Sequence, residues 1–143
     1  MSTSDRFLLW FHLATVIFLL GPTTIAMTTT PRYIRQKDVA VLRYLNRTTR
    51  FFGIGSILVL AFGLGIAHDN LSKPWLTVSM TLFVVGLILT IAIIEPDQRR
   101  AIAKLETGES PEVYRGRIVG ISSAVAVLWV VVLVLMVWRP GAV

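Results

Sequence analysis

Four stretches of this chain carry no charged residue and are long enough to cross the hydrocarbon core of a bilayer as helices. They cover residues 7–30, 51–67, 75–94 and 118–138, and a helix needs about 20 apolar residues for one crossing. The second stretch is the shortest, and we expect its helix to extend backwards into the basic segment before it. The pattern predicts an all-α membrane protein with four transmembrane helices in an antiparallel bundle, forming one domain over residues 1–143.

The composition agrees with lipid as the solvent. Of the 143 residues, 55% are hydrophobic, and the mean hydropathy is +0.72. The absence of cysteine excludes disulfides, thiolate metal sites and a cysteine nucleophile. The net charge of +6 comes from basic residues at the ends of the apolar stretches, so we expect the partner of these charges to be the lipid bilayer and not nucleic acid.

The distribution of basic residues predicts the orientation of the chain. Residues 31–50 carry six and residues 95–117 carry five of the 14 lysines and arginines. Because loops rich in lysine and arginine stay in the cytoplasm, we predict a multi-pass protein of the bacterial plasma (inner) membrane with both loops inside and both termini outside. Trp10, Trp75 and Trp138 would then lie near the outer interface, where tryptophan is enriched.

The two halves of the sequence resemble each other. At an offset of 65 residues, glycine, proline and arginine recur in the same order. The matched positions are Gly21 with Gly86, Pro31 with Pro96 and Arg35 with Arg100, and residues 50–56 align with residues 117–123 at an offset of 67. We therefore predict two tandem helical hairpins that form a parallel internal repeat, related by an axis along the membrane normal.

Glycine and proline mark the expected kinks and close contacts. Pro22 follows Gly21 in the middle of the first stretch, where a proline removes a helical hydrogen bond and kinks the helix. Small residues let helix backbones approach each other in lipid. The glycines assigned to helix packing are Gly53, Gly55 and Gly63 in the second helix and the Gly116-x-x-x-Gly120 pair in the fourth.

Local signals predict where the helices begin and end. Pro31 is expected to end or bend the first helix, and Glu95 with Pro96 is expected to stop the third. Asp38 is a candidate N-cap for the second helix. An amphipathic segment follows at residues 97–105, and Ser110 begins the fourth helix after a break at residues 107–109.

The membrane stretches offer few groups for chemistry. None has an acidic or basic side chain in its middle, which argues against ion pumps and proton relays. The titratable groups at or near the membrane are His12, His68 and Glu95. His12 is alternatively hydrogen-bonded to a neighbouring helix, an axial ligand of a b-type haem, or a metal ligand. His68 is either a solvated turn residue or a second haem ligand.

The pattern of His12, Gly21-Pro22, Pro31-Arg32-Tyr33, Trp75-Leu76-x-x-Ser79-Met80 and Pro96-x-Gln98-Arg99-Arg100 resembles an uncharacterised bacterial family of four-helix integral membrane proteins, the domain of unknown function 2269. The first helix also resembles the HemJ-type protoporphyrinogen oxidases and, more distantly, the copper-resistance D proteins. The HemJ resemblance implies a b-type haem on His12 and a lysine in the third helix. No lysine lies in that helix, and Ser79 or Met80 stands about where it would be.

Three functions remain open at the level of sequence. The leading hypothesis is an accessory or structural subunit, or a homo-oligomer, without catalysis of its own. The alternative is a haem-binding redox protein related to HemJ with His12 as axial ligand. A third is a small-solute carrier that uses the first helix around Gly21 and Pro22.

Overall fold

The computed structural model describes residues 3–66 and 72–138, except for the side chains of Asp5 and Ile66. His68, a candidate ligand by sequence, lies outside the described residues. The described chain is helical throughout, with turns between the helices and no strand. The elements are α1 (Thr3–Thr15), a π-helical turn (Val16–Leu20), α2 (Gly21–Arg35), α3 (Val39–Gly55), α4 (Ile57–Ile66), α5 (Pro74–Leu89), a second π-helical turn (Thr90–Ile94), α6 (Glu95–Glu106) and α7 (Glu112–Trp138).

These elements join into four long helices within the described ranges. The first runs from α1 to α2, the second from α3 to α4, the third from α5 to α6, and the fourth is α7. All four are long and apolar enough to cross a membrane. Their outer surface is apolar: Phe18 is 69% exposed, Val127 61% and Leu133 62%. Such side chains are stable facing lipid, so the fold is that of a multi-pass membrane protein.

The long helices pack as an antiparallel bundle, as predicted. Within the first hairpin α2 packs on α3 and α1 packs on α4, while α5 and α6 pack on α7 in the second hairpin. The hairpins meet where α2 contacts α7 and where α3 contacts α6. The first helix of each hairpin therefore contacts the return helix of the other, an arrangement compatible with two related halves. Whether the halves arose by duplication stays a prediction.

Both π-helical turns lie directly before a residue that precedes a proline. Val16–Leu20 is followed by Gly21 and Pro22, and Thr90–Ile94 is followed by Glu95 and Pro96. A proline has no N–H to donate and its ring crowds the preceding turn. A widened turn relieves that crowding without breaking the helix, and each proline is the second residue of the next α-helical segment.

The predicted stop of the third helix at Glu95 and Pro96 is wrong, and of the two alternatives at Pro31, an end or a bend, the end is excluded. Pro31 lies inside α2, which continues to Arg35, and the third long helix continues through Glu95 and Pro96 to Glu106. In both cases the helix passes the end of its apolar stretch because its next turns still pack against neighbouring helices. As a result, the predicted loops at residues 31–50 and 95–117 are mostly helical, with short turns at their centres.

The short turns themselves follow the predicted chemistry. Asp38 caps α3 by accepting a hydrogen bond from the backbone N–H of Val41 at 3.2 Å. Gly108 adopts a φ of +78° after α6, a conformation that glycine tolerates best. Ser110 accepts a hydrogen bond from the N–H of Glu112 at the start of α7. These turns and the eleven basic residues near them define one end of the bundle, called the basic end below.

The core extends from the basic end to the opposite end in separate apolar clusters. At the basic end, five side chains from α2, α3, α6 and α7 pack together. They are Ile34, Leu42, Ala101, Ile102 and Ile118. At the opposite end Trp75 packs with Leu76 and is only 6% exposed, and its position near the outer interface stays a prediction. Trp10 and Trp138 are exposed, at 64% and 72%.

Candidate functional site

A buried network of polar side chains joins the helices near the basic end. Its centre is Gln98 of α6, which is 1% exposed. The Gln98 amide nitrogen donates hydrogen bonds to the hydroxyl groups of Thr30 at 2.8 Å and Thr49 at 3.1 Å. Its amide oxygen accepts a bond from Asn46 at 3.1 Å. One side chain of the third long helix thus binds both the first and the second.

Glu95 extends this network towards the surface. Asn46 donates to the backbone oxygen of Glu95 at 3.0 Å and approaches its carboxylate at 3.4 Å. Arg99, one turn later, binds the same carboxylate through two nitrogens. Its Nε lies 2.9 Å from Oε1 of Glu95, and its Nη2 donates to Oε2 at 3.0 Å. The side chain of Glu95 is 6% exposed, and burial of a carboxylate in this way requires such a cationic partner.

Asp97 links the third long helix to the fourth. Its side chain is fully buried, and its two oxygens lie 2.9 Å from a guanidinium nitrogen of Arg100 and 3.1 Å from Nε of Arg117 on α7. The Oδ2 atom makes this ion pair but no hydrogen bond, because the N–H group is not aimed at it. With Asp97 included, the network contacts all four long helices.

The side chains of this network link the four long helices to one another. Its amides and hydroxyls are hydrogen-bonded to each other, and both carboxylates are neutralised by arginines. Across the described ranges, no group of three or more histidine, aspartate or glutamate side chains is placed to hold a metal ion. Polar groups bonded across helices fix which residues face each other, since any other register leaves them unpaired in an apolar medium.

His12 is held away from this network, in the opposite half of the bundle. Its Nδ1 donates to the backbone oxygen of Val59 on α4 at 3.0 Å. The ring lies against Gly63, where a Cβ atom would come within 3.1 Å of the imidazole. This is the hydrogen-bonded arrangement that the sequence allowed as one alternative. The bond also leaves Nε2 without a hydrogen, which is the form of the nitrogen that ligates iron.

The predicted packing glycines fall into two groups. Gly53, Gly55 and Gly63 face neighbouring helices, with side-chain atoms of α2, the first π-helical turn or α1 within 4 Å of a Cβ built on them. Gly116 and Gly120 do not: among the described residues, no atom of another element lies within 4 Å of a Cβ at either position. The pair on α7 therefore faces outward, and the GxxxG contact predicted for it is not made inside this bundle.

Sequence analysis did not identify most of the polar network. The helix predicted to begin near Asp38 covers Asn46 and Thr49, and the predicted amphipathic segment covers Asp97 and Gln98. All four lie outside the apolar stretches and were assigned to the cytoplasmic side, so their burial between helices was not predicted. The periodicity of the sequence could have indicated that Asn46 and Thr49 are buried. Both recur at helical spacing with Leu42 and Leu45, and all four are buried on one face of α3.

Comparison of the chain with protein-family models, with curated proteins and with solved structures finds no match in any of the three. What bears on function is thus the geometry of the polar network, of His12 and of the outward face of α7.

Proposed function

We propose that this protein is a structural membrane component without catalysis of its own, which acts as a homo-oligomer or as an accessory subunit of a larger membrane complex. The observation that supports this most is the outward face of α7. Gly116 and Gly120 lie one turn apart with open space above them, and Ala124 and Ser123 continue the face as exposed small residues. In lipid, such a surface lets a second helix approach closely and gain packing contacts.

The interior of the bundle supports the same proposal. Gln98 is hydrogen-bonded to Thr30, Asn46 and Thr49 across helices, and this arrangement resists rearrangement of the helices. A rigid bundle with an unoccupied small-residue face suits a role in assembly.

Light scattering of the purified protein in mild detergent tests this proposal. For the wild type, the protein mass in the detergent particle is expected to equal at least two chains, or the particle is expected to contain a second protein. The double variant Gly116→Leu/Gly120→Leu is expected to be a monomer, since leucine side chains separate the helix backbones. Ala61→Leu is the matched control, because Ala61 is an exposed small residue on α4. A monomeric wild type in several detergents, or an assembly that survives the double variant, contradicts the proposal.

A second candidate is a haem-binding redox protein, favoured by the hydrogen bond of His12. The Nδ1 bond to the Val59 oxygen orients the ring and leaves Nε2 as the possible ligand atom. If haem is bound, protein purified from haem-replete cells has a Soret band that is lost in His12→Ala. A colourless preparation excludes this candidate.

A further inference from the structure

The two segments at the basic end carry similar numbers of cations but very different net charges. Residues 31–50 contain six basic residues and one acidic residue, Asp38, for a net charge of +5. Residues 95–117 contain five basic and five acidic residues, for a net charge of zero. The first hairpin therefore holds nearly all of the net charge of +6 of the whole chain.

The second hairpin neutralises its own cations. Every basic side chain of residues 95–117 forms an ion pair with an acidic side chain of the same segment, at distances of 2.5 to 3.1 Å. The pairs are Arg99 with Glu95, Arg100 with Asp97, Lys104 with Glu109, Arg115 with Glu112, and Arg117 with Asp97.

Most basic side chains of residues 31–50 have no acidic partner among the described residues. Arg43 is the exception, since it forms an ion pair with Glu106 of α6. Asp38 is engaged as the cap of α3 and neutralises no arginine. The remaining five basic side chains are exposed and have no acidic partner in the part of the chain that the structure describes. They are Arg32, Arg35, Lys37, Arg47 and Arg50, and they are called the first-hairpin basic surface below.

Exposed apolar side chains lie next to these cations. Tyr44 and Phe51 are 68% and 69% exposed, and their spacing from Arg47 places all three on one face of α3. Ile54 continues that face and is 51% exposed. Arginine beside an exposed aromatic ring at the end of an apolar helix is typical of the headgroup region of a bilayer.

We propose that the first-hairpin basic surface binds the headgroups of anionic phospholipids, and that the second hairpin does not. An anionic ligand is favoured because five cations have no acidic partner among the described residues, and guanidinium groups match the geometry of phosphate oxygens. An apolar part of the ligand is favoured as well, because the same face of α3 exposes Phe51 and Ile54. A phospholipid meets both requirements, whereas a nucleic acid or a free phosphate meets only the first.

The test measures lipid binding by the full-length protein in detergent micelles. A fluorescent phosphatidylglycerol is titrated against wild type, Arg47→Gln/Arg50→Gln, and the control Lys104→Gln/Arg115→Gln. Both double variants remove two positive charges from the surface at the same end of the bundle. Each basic residue near an anionic lipid surface contributes about fivefold in affinity. The first variant is therefore expected to bind about 25-fold more weakly, and the control within about twofold of wild type.

Further variants and competitors distinguish a bound phospholipid from a free phosphate or a nucleic acid. Arg47→Lys/Arg50→Lys, which keeps the charge, is expected to retain most of the affinity. Arg35→Gln on α2 is expected to lose about fivefold without touching α3. Inorganic phosphate or a short oligonucleotide, added at the concentration of the lipid, is expected not to displace the fluorescent phosphatidylglycerol.

Several results would overturn the proposal. An equal loss in both double variants would mean that net charge alone attracts the lipid. Equal affinity for a fluorescent phosphatidylcholine would mean that charge is not recognised, and displacement by phosphate or by the oligonucleotide would assign the surface to that ligand instead.

Discussion

At the scale of single residues, the most informative side chain is Gln98. Its amide joins Thr30 of the first long helix to Asn46 and Thr49 of the second. In water such bonds contribute little net stability, because the unfolded groups bind solvent instead. Inside a membrane protein each bond between helices contributes about 0.6 to 1.7 kcal/mol. The network is therefore expected to set the register of the helices more than their total stability.

Replacing Thr30 tests the network with a matched pair of variants. Thr30→Val removes the hydroxyl that accepts from Gln98 at 2.8 Å and leaves an amide hydrogen without that acceptor. The free energy of unfolding, measured by denaturing-detergent titration in mixed micelles, is expected to fall by about 1 to 2 kcal/mol. Thr28→Val removes the same atoms from an exposed residue that bonds only within its own helix. Equal losses in the two variants would show that the bond to Gln98 contributes nothing.

The residues of this network were the least predictable part of the molecule. The sequence shows where the apolar stretches end. It does not distinguish, among the polar residues outside these stretches, those that face water from those that face a neighbouring helix. Asn46 and Gln98 are buried only because α3 and α6 pack on each other beyond the apolar stretches. By contrast, the cap at Asp38 depends on contacts within four residues, and the sequence predicted it correctly.

At the scale of helices, glycine decides how closely α5 and α7 pack. A Cβ atom built on Gly86 would lie 2.6 Å from the indole ring of Trp129, closer than any real contact. Gly53, in contrast, faces side chains of α2 and the second π-helical turn at 3.7 to 3.8 Å, which is ordinary contact distance. The two glycines are buried alike but differ in the space above them.

This difference predicts opposite effects of the same substitution. Gly86→Ala forces Trp129 to move and is expected to lower the free energy of unfolding by about 1 to 3 kcal/mol. Gly53→Ala fits, and because alanine favours helix by about 1 kcal/mol over glycine, it is expected to leave stability unchanged or raise it. Thermal unfolding in detergent measures both variants. A stabilised Gly86→Ala protein would mean that Trp129 does not pack on Gly86.

The helices also show which sequence signals carried over into structure. The apolar stretches predicted the four long helices, because a bilayer requires continuous helix wherever the chain is apolar. The stop predicted at Pro96 was wrong, and Pro31 does not end its helix, since a proline in a helix is tolerated when the turn before it widens or its neighbours hold it in place. The predicted internal repeat aligns Pro31 with Pro96. Of these two prolines, only Pro96 follows a π-helical turn, and the other π-helical turn lies before Pro22.

At the scale of the whole molecule, the bundle is organised by a difference between its two ends. The basic end holds the polar network and the unpaired cations of the first hairpin, while the long helices expose apolar side chains along most of their length. From the fold and the charge pattern together we expect both turns at the basic end to lie on one side of a membrane. Ser72, which precedes α5, is then expected on the other side.

Accessibility of single cysteines to a membrane-impermeant maleimide tests this arrangement most directly, since the chain has no cysteine of its own. Gln36→Cys and Glu109→Cys lie in the two turns at the basic end, Ser72→Cys lies in the turn before α5, and all three positions are exposed. In sealed vesicles of known sidedness, we expect Ser72→Cys to react from the outer side and the other two only after permeabilisation. Labelling of Gln36→Cys and Glu109→Cys from opposite sides, or of all three from the same side, would contradict the four-crossing bundle.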